Sequence, residues 1–468
     1  MCTLLILADD LTGALDTGVQ FSKGGISTLV SSVPPVGGAF RIEEGPPPEV
    51  LVINTDTRHC SPERAGALIT EVLEKYPAVP FVYKKTDSTL RGHIGAELEA
   101  LVLARKVPAL PFIPAYPRLG RTTRQGRQYL EGVPVDRTAA DALNPVRRSF
   151  IPDIIAEEST LPVRLVPRGA CGLACGADFA AAGQMQGQAG RGPQFLIYDA
   201  EDEVDLRAIA RSLKEQRLLG TCAGCAGFAG ALMEQIPFAR AGAPSLDAAA
   251  GGTGGLNAAG GAGGLGGGRP VLIITGSRHP VSLAQVRTAM DAGTPVLAVE
   301  GEKLLGDRWF EGEEAAALIA RCGEHLRNGG RCILGTRMSL GLETGPGTDR
   351  NAAGSDAAGS DAAGGGAGAA GRLGKLLPPI LAAAPAVLAV FGGDTLLGVT
   401  EALGRRFLRP LGEIRPGLVL ASCDPPAADP EGPGPKTEQG PLLIAAKSGA
   451  FGEPDLIGVI IGFFGARK

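Results

Sequence analysis

The run Leu4-Leu5-Ile6-Leu7-Ala8 is apolar without alternation and stops abruptly at Asp9-Asp10, which are followed by Leu11-Thr12-Gly13. An apolar run of five with no period of two suits a strand covered on both faces, the kind found in parallel sheets with helices packed on either side. Asp9 or Asp10 can then cap a helix continuing through Phe21. An ordinary cap accounts for one aspartate and leaves the other over. Groups at the carboxyl end of an inner parallel strand face the crevice where open α/β sheets bind ligands, so the pair reads as part of a site.

The same pattern recurs along the chain. Apolar runs at 50–53, 81–83, 109–113 and 195–198 alternate with segments of helical period at 62–76 and 95–104. This predicts an α/β fold of two domains, each a largely parallel sheet flanked by helices, with a ligand cleft between them. The expected boundaries are 1–241 for the first domain, 242–268 for a Gly/Ala-rich linker and 269–468 for the second domain, with a disordered insertion at 345–371. Linker and insertion are nearly all Ala, Gly and small polar residues, which bury too little apolar surface to offset their ordering entropy. Further apolar runs at 271–275, 296–299, 331–334 and 387–391 supply the second core.

Composition narrows the function. A net charge of -4 and 4% aromatics offer no basic, base-stacking surface for nucleic acid. The opening run lacks a basic leader, and neither it nor the closing run at 456–464 is long enough to span a membrane. Nine cysteines at irregular spacing indicate reduced thiols and a cytoplasmic location. Cys222-x-x-Cys225 has no second pair, and the chain holds only four histidines, so these thiols read as buried small residues.

Two more strand ends carry polar clusters, Asn54-Thr55-Asp56-Thr57-Arg58 and Lys84-Lys85-Thr86-Asp87-Ser88-Thr89-Leu90-Arg91-Gly92. On a parallel sheet the three ends converge and gather Asp9, Asp10, Arg58, Lys85, Asp87, Ser88, Thr89 and Arg91. Guanidinium groups hold a carboxylate bidentately, while carboxylates and hydroxyls suit the alcohols of a polyol, so the cluster fits a small hydroxylated acid. Arg118, Arg121, Arg124 and Arg127 are spaced by three and read as a solvated helical stripe, with Arg121 and Thr122 kept as ligand contacts. His59 and His93 read as packing or surface residues.

The second domain offers phosphate-binding features. Gly276-Ser277-Arg278-His279-Pro280 precedes a helix containing Gln285, and Gly392-Gly393-Asp394-Thr395 precedes a helix to Leu403. A third loop is Lys447-Ser448-Gly449-Ala450-Phe451-Gly452. Glycines at a strand-to-helix turn let backbone N–H groups approach an anion, and the helix N-terminus adds favourable partial charge. The order G-x-x-x-x-G-K-[ST] is absent.

In these motifs and their order the chain resembles the four-carbon acid sugar kinase family. The likeness rests on Ala8-Asp9-Asp10-Leu11-Thr12-Gly13 with Asp16-Thr17-Gly18, Asp56-Thr57-Arg58, residues 85–92, and Pro114-Ala115-Tyr116-Pro117 with Gly120-Arg121-Thr122. It continues through Gly276-Ser277, residues 392–395, Pro416-Gly417, and Lys447-Ser448-Gly449 with Phe451-Gly452. The resemblance implies ATP-dependent phosphorylation of a four-carbon sugar acid such as threonate, erythronate or an oxo-tetronate at its terminal hydroxyl. It also implies an N-terminal acid-sugar domain and a C-terminal nucleotide domain that close over both ligands. In that scheme Arg58, Arg91 and Lys85 hold the acid, with Asp9, Asp10, Ser88 and Thr89 around it. ATP falls to Ser277, Gly392, Gly393, Asp394, Thr395, Lys447, Ser448, Gly449 and Gly452. Mg2+ is expected to bridge phosphate oxygens, with no protein ligand assigned. Asp87 is the first choice for the base, and Asp10 and Asp394 stay open. The expected partners are the acid and ATP, and a homodimer is kept open.

Two positions depart from the family pattern. Phe391 stands where Thr is usual, and Ala450 stands where Gly is usual, so a methyl there would crowd a phosphate if the position needs positive φ. Two other readings stay open: an inert sensor of acid and nucleotide, and a metal-dependent phosphatase or lyase using Asp9 and Asp10.

Overall fold

A computed structural model describes residues 2–40, 46–138, 146–170, 192–242, 268–342, 368–423 and 441–465. The chain divides into two compact units, Met1–Pro244 and Ser245–Lys468. Nearly all of the expected linker and most of the expected insertion lie outside the described residues. The end of the stretch read as an insertion is instead a short helix, Ala369–Arg372. Its small residues allow close packing: a Cβ on Gly398 would lie 2.0 Å from the Gly371 carbonyl oxygen.

In the first unit the strands are β1 (Leu4–Ala8), β2 (Thr28–Ser31), β3 (Val50–Asn54), β4 (Phe81–Lys85), β5 (Ala109–Ile113), β6 (Arg121–Arg124), β7 (Arg127–Leu130), β8 (Val133–Pro134), β9 (Val163–Val166), β10 (Gln194–Tyr198) and β11 (Thr221–Gly224). Eight of them form a parallel sheet in the order β2-β3-β1-β4-β11-β5-β10-β9. All five residues of β1 are buried, as its unalternated pattern requires. Helix α1 (Leu11–Lys23) follows directly, capped by Asp10, whose carboxylate accepts from the Gly13 N–H. Ser61 caps α2 (Pro62–Lys75), which has Pro62 in its first turn, where a missing N–H does no harm. Helix α3 spans Ile94–Arg105.

The arginine stripe is not one helix: Arg118 lies in a short 3-10 turn, Pro117–Leu119. Arg121 and Arg124 lie on β6 and Arg127 on β7, antiparallel strands of a separate small sheet. Gln125 (φ 49) and Gly126 (φ 70) both adopt left-handed backbone, the requirement of a two-residue hairpin turn, and this overrides a spacing that also fits a helix. Alternation then buries Arg121 and Thr123 and exposes Arg124, whose guanidinium stacks 5.0 Å from the Tyr129 ring.

In the second unit β12 (Val271–Thr275), β13 (Val296–Val299), β14 (Arg331–Thr336), β15 (Val387–Phe391), β16 (Phe407–Arg415), β17 (Leu418–Cys423) and β18 (Leu442–Lys447) run in the order β13-β14-β12-β15-β18-β17-β16. The sheet is parallel through β18, and β17 and β16 extend it antiparallel. Val271, Ile273, Phe391, Leu420 and Ile460 form part of one core. No helix among the described residues is long and apolar enough to cross a membrane. Cys222 and Cys225 are free, and burial pushes both thiols up, Cys225 to about 12, as expected of packed rather than reactive sulfur.

Candidate functional site

Strand register creates the first site. Ala8 pairs with Asn54 of β3 on one side and with Lys85 of β4 on the other, so the chain leaves all three strands at one level. Arg58 reaches across them. Its Nε and Nη2 donate to Asp9 Oδ2 at 3.0 and 2.8 Å, Nη2 also donates to Asp10 Oδ1 at 2.9 Å, and Asp87 Oδ1 lies 3.7 Å away. Thr12 Oγ1 donates to Asp10 Oδ2 at 2.5 Å. Arg91 clamps Asp87 bidentately, Nε to Oδ2 at 2.8 Å and Nη2 to Oδ1 at 2.9 Å, and the Thr89 hydroxyl donates to the same carboxylate.

Backbone strain shapes that clamp. Leu90 sits at φ 68, a conformation costly for a branched side chain, and the turn brings the Arg91 N–H within 3.3 Å of Asp87 Oδ2. Burial works against ionisation of Asp87, yet the charges and hydrogen bonds of Arg91, with Arg58 and Thr89, hold it well below the usual carboxylate range. Burial likewise opposes ionisation of Asp10, and Arg58 and Lys85 overcome it, so its pKa is lowered. Both oxygens of Asp87 are therefore engaged by strong donors in this state.

Asp9 differs. Its Oδ2 takes both Arg58 bonds, whereas its Oδ1 is buried, accepts no hydrogen bond among the described residues and lies 4.0 Å from Lys85 Nζ. Gly13 makes room for that ammonium, since a Cβ there would lie 2.5 Å from Lys85 Nζ. Ser88 is half-buried beside the clamp, and its carbonyl accepts from Gln128 Nε2 at 2.9 Å. The structure thus brings together Asp9, Asp10, Arg58, Lys85, Asp87, Thr89 and Arg91.

The sequence pointed to Gly13 within the first motif, but neither to Glu97 nor to the role of Lys84. Lys84 and Glu97 form an ion pair of 3.1 Å with side chains 0% and 1% exposed. Two signals were present in the chain: a lysine inside an apolar strand, and a glutamate on the helix face that also carries Leu98 and Leu101.

The second unit gathers its three loops around backbone rather than charge. Gly392, at φ 107, precedes helix Gly393–Ala402, which no side chain caps, so first-turn N–H groups are left for an anion. Thr395 Oγ1 accepts from the Gly276 N–H at 3.2 Å, tying the second loop to the first. A Cβ on Gly449 would lie 2.4 Å from Ser277 Oγ, which brings the third loop against Ser277. Gln285 Nε2 donates to the carbonyls of Phe451, Gly452 and Glu453 at 3.0, 2.9 and 3.1 Å. Asp394 is exposed in the first turn of its helix.

Lys447 is 1% exposed, and its ammonium points into the loop that follows it. Nζ donates to the carbonyls of Ser448 and Gly449 at 3.0 and 3.2 Å and to Ser282 Oγ at 3.2 Å. The Phe391 ring, in the position usually held by Thr, faces that ammonium at 4.5 Å. Burial pushes Lys447 down to about 7. Ala450 is not at positive φ, whereas Gly452 is (φ 89), so the methyl at 450 adds no backbone strain.

The strand-end cluster of interlocked charges and the glycine loops are the two groups of residues on which a functional reading rests. Comparison with known proteins places the chain. Family models described as a sugar-binding N-terminal domain and a nucleotide-binding C-terminal domain match residues 4–232 and 272–457. The D-threonate kinase of Bordetella bronchiseptica is 30% identical over 97% of this chain and 95% of its own. The D-threonate kinase of Salmonella typhimurium is 36% identical over 50% of this chain and 54% of its own, and the D-erythronate kinase of Heliobacterium modesticaldum is 27% identical over 72% and 71%. The chain belongs to the four-carbon acid sugar kinase family, and it is a kinase of a sugar-acid hydroxyl.

Proposed function

We propose that this protein is an ATP-dependent D-threonate kinase that phosphorylates the terminal hydroxyl of the acid. The observation that carries the reading is the gap between Asp9 Oδ1 and Lys85 Nζ. A buried carboxylate oxygen lacking a donor lies 4.0 Å from an ammonium, beside a guanidinium. A hydroxyl both donates and accepts, so a substrate alcohol satisfies the two atoms together. Arg58 Nη1 carries none of the bonds to Asp9 and Asp10, which leaves it to meet the substrate carboxylate, with Arg91 as its neighbour. The two relatives of higher identity are both D-threonate kinases, which favours that acid over D-erythronate.

Phosphoryl transfer depends chiefly on alignment and charge neutralisation. We assign acceptance of the hydroxyl proton to Asp9 Oδ1. Asp87, the base expected from the sequence, serves in this scheme to hold Arg91, because a clamped carboxylate of depressed pKa is a weak base. ATP phosphates lie on the first-turn N–H groups at Gly393 and the loops at Ser277 and Gly449. Among the described residues no three His, Cys, Asp or Glu side chains gather to cage a metal. One exposed carboxylate, Asp394, suits Mg2+, which typically takes one or two carboxylates plus substrate phosphates, and the ion would neutralise phosphate charge there. The buried free thiols suit a reducing, cytoplasmic setting.

The test is ADP release with Mg-ATP against D- and L-threonate, D- and L-erythronate, oxo-tetronates and glycerate, with a no-acid control. D-threonate is expected to give the highest kcat/KM and a 4-phosphorylated product. A clear preference for another acid overturns the substrate assignment, and ATP binding without acid-dependent turnover favours a sensor.

A further inference from the structure

We propose that the buried Lys84–Glu97 pair, with Thr57 and Thr55, is a positioning device that sets the acid site from behind. The inference rests on the sugar-acid reading of that site. Lys84 Nζ lies 3.1 Å from Glu97 Oε2 and donates to the Lys85 carbonyl at 2.9 Å. Thr57 Oγ1 donates to Glu97 Oε1 at 2.5 Å and lies 3.0 Å from Thr55 Oγ1, and Thr55 Oγ1 donates to the Ala8 carbonyl at 2.9 Å. Hydrogen bonds therefore run from α3 to the ends of β4 and β3, and contact between the two threonine hydroxyls carries the chain of groups on to β1. Each of its ends abuts a residue of the acid site: Lys85 itself, Arg58 after Thr57, and Asp9 after Ala8.

Stability is a weak reason to bury such a pair. Desolvation of two ions consumes much of their mutual attraction, and well-packed apolar replacements are often neutral or stabilising. Burial foremost, and after it the charge of Asp9, push Glu97 upward against the pull of Lys84 and Thr57, so the carboxylate is held there at a cost. What apolar side chains cannot supply is the directional link to three strand ends. Arg58, Asp9 and Lys85 must share one geometry, and a misplacement of about 1 Å can cost on the order of a hundredfold in rate.

The test replaces the pair by apolar side chains in the full chain, Lys84→Met with Glu97→Leu, and separately makes Thr57→Val and Thr57→Ser. For the double variant the expected result is Tm and ATP affinity close to the parent, with kcat/KM for the acid lower by about a hundredfold. Thr57→Val, which removes one link with little change in volume, should lose roughly tenfold in acid kcat/KM, and Thr57→Ser should restore it. It also covers the case in which the double variant does not fold. Parental acid kcat/KM in a folded double variant or in Thr57→Val overturns the proposal. Should the parent turn over no acid at all, the functional reading fails, yet a crystal structure of Thr57→Val still decides: an Arg58 displaced from Asp9 Oδ2 supports positioning, and an unmoved Arg58 rejects it.

Discussion

Under the proposed function, the strand-end cluster of the first unit and the glycine loops of the second use opposite means to recognise an anion. In the first unit side chains do the work: Arg58, Arg91 and Lys85 interlock with Asp9, Asp10 and Asp87, so the cluster is neutralised before any ligand arrives. In the second unit backbone N–H groups take that part in the proposed scheme, at glycine turns at Gly276, Gly392 and Gly449 and an uncapped helix start. The contrast suits the proposed ligands. A sugar acid differs from its isomers by the placement of hydroxyls, which calls for fixed, directional side-chain partners. Nucleotide phosphates call for many N–H donors at close range, which side chains would obstruct.

The largest test of this contrast is Arg58→Met. Removing the guanidinium leaves Asp9 and Asp10 buried without their main partner, which costs about 3–5 kcal/mol in comparable buried pairs. Acid-dependent turnover should vanish while ATP binding persists, as ADP release and nucleotide titration would show. Loss of both would mean that the two sites are not separable. Next comes Asp9→Asn, expected to lower kcat by about 10²–10⁴ with nucleotide affinity unchanged. Asp87→Asn should instead raise the acid KM, with a smaller fall in kcat. The reverse ranking would return the base to Asp87.

Gly449→Ala probes the backbone side. Its Cβ would lie 2.4 Å from Ser277 Oγ, so the KM for ATP should rise roughly tenfold, equivalent to about 1.4 kcal/mol, with the acid KM unaffected. A last test reads stability rather than activity and concerns Lys447, whose folded-state pKa falls from 10.5 to about 7. Between those values the unfolded chain carries a proton that the folded chain lacks, so this group makes stability rise with pH across that window. Urea midpoints measured from pH 7 to 10 should climb more steeply in the parent than in Lys447→Met. Parallel slopes would mean that the loop ammonium is not desolvated.

Much of this was legible in the chain. Unalternated apolar runs marked β1, β3, β4 and β15, the aspartate after β1 proved to be a helix cap, and the polar clusters after three strands do converge. Periodicity reports which residues are buried locally, and parallel strands separated by helices must end on the same edge of the sheet. The arginine spacing misled because Gln125-Gly126 can close a hairpin, and local spacing does not rank helix against turn.

What the sequence by itself determined is therefore the inner parallel strands and the company the site residues keep. Tertiary structure decided their partners. Arg58 and Asp9 are 49 residues apart in the chain and Thr57 and Glu97 are 40, so their contacts depend on strand register and helix packing rather than on any local rule. The left-handed Leu90 that lets Arg91 clamp Asp87, and the turn of the Lys447 ammonium toward Ser448, Gly449 and the Phe391 ring, arise from the same cause. A charged side chain takes whichever counter-charges packing brings within about 3 Å, and distance between remote segments is a property of the folded chain alone.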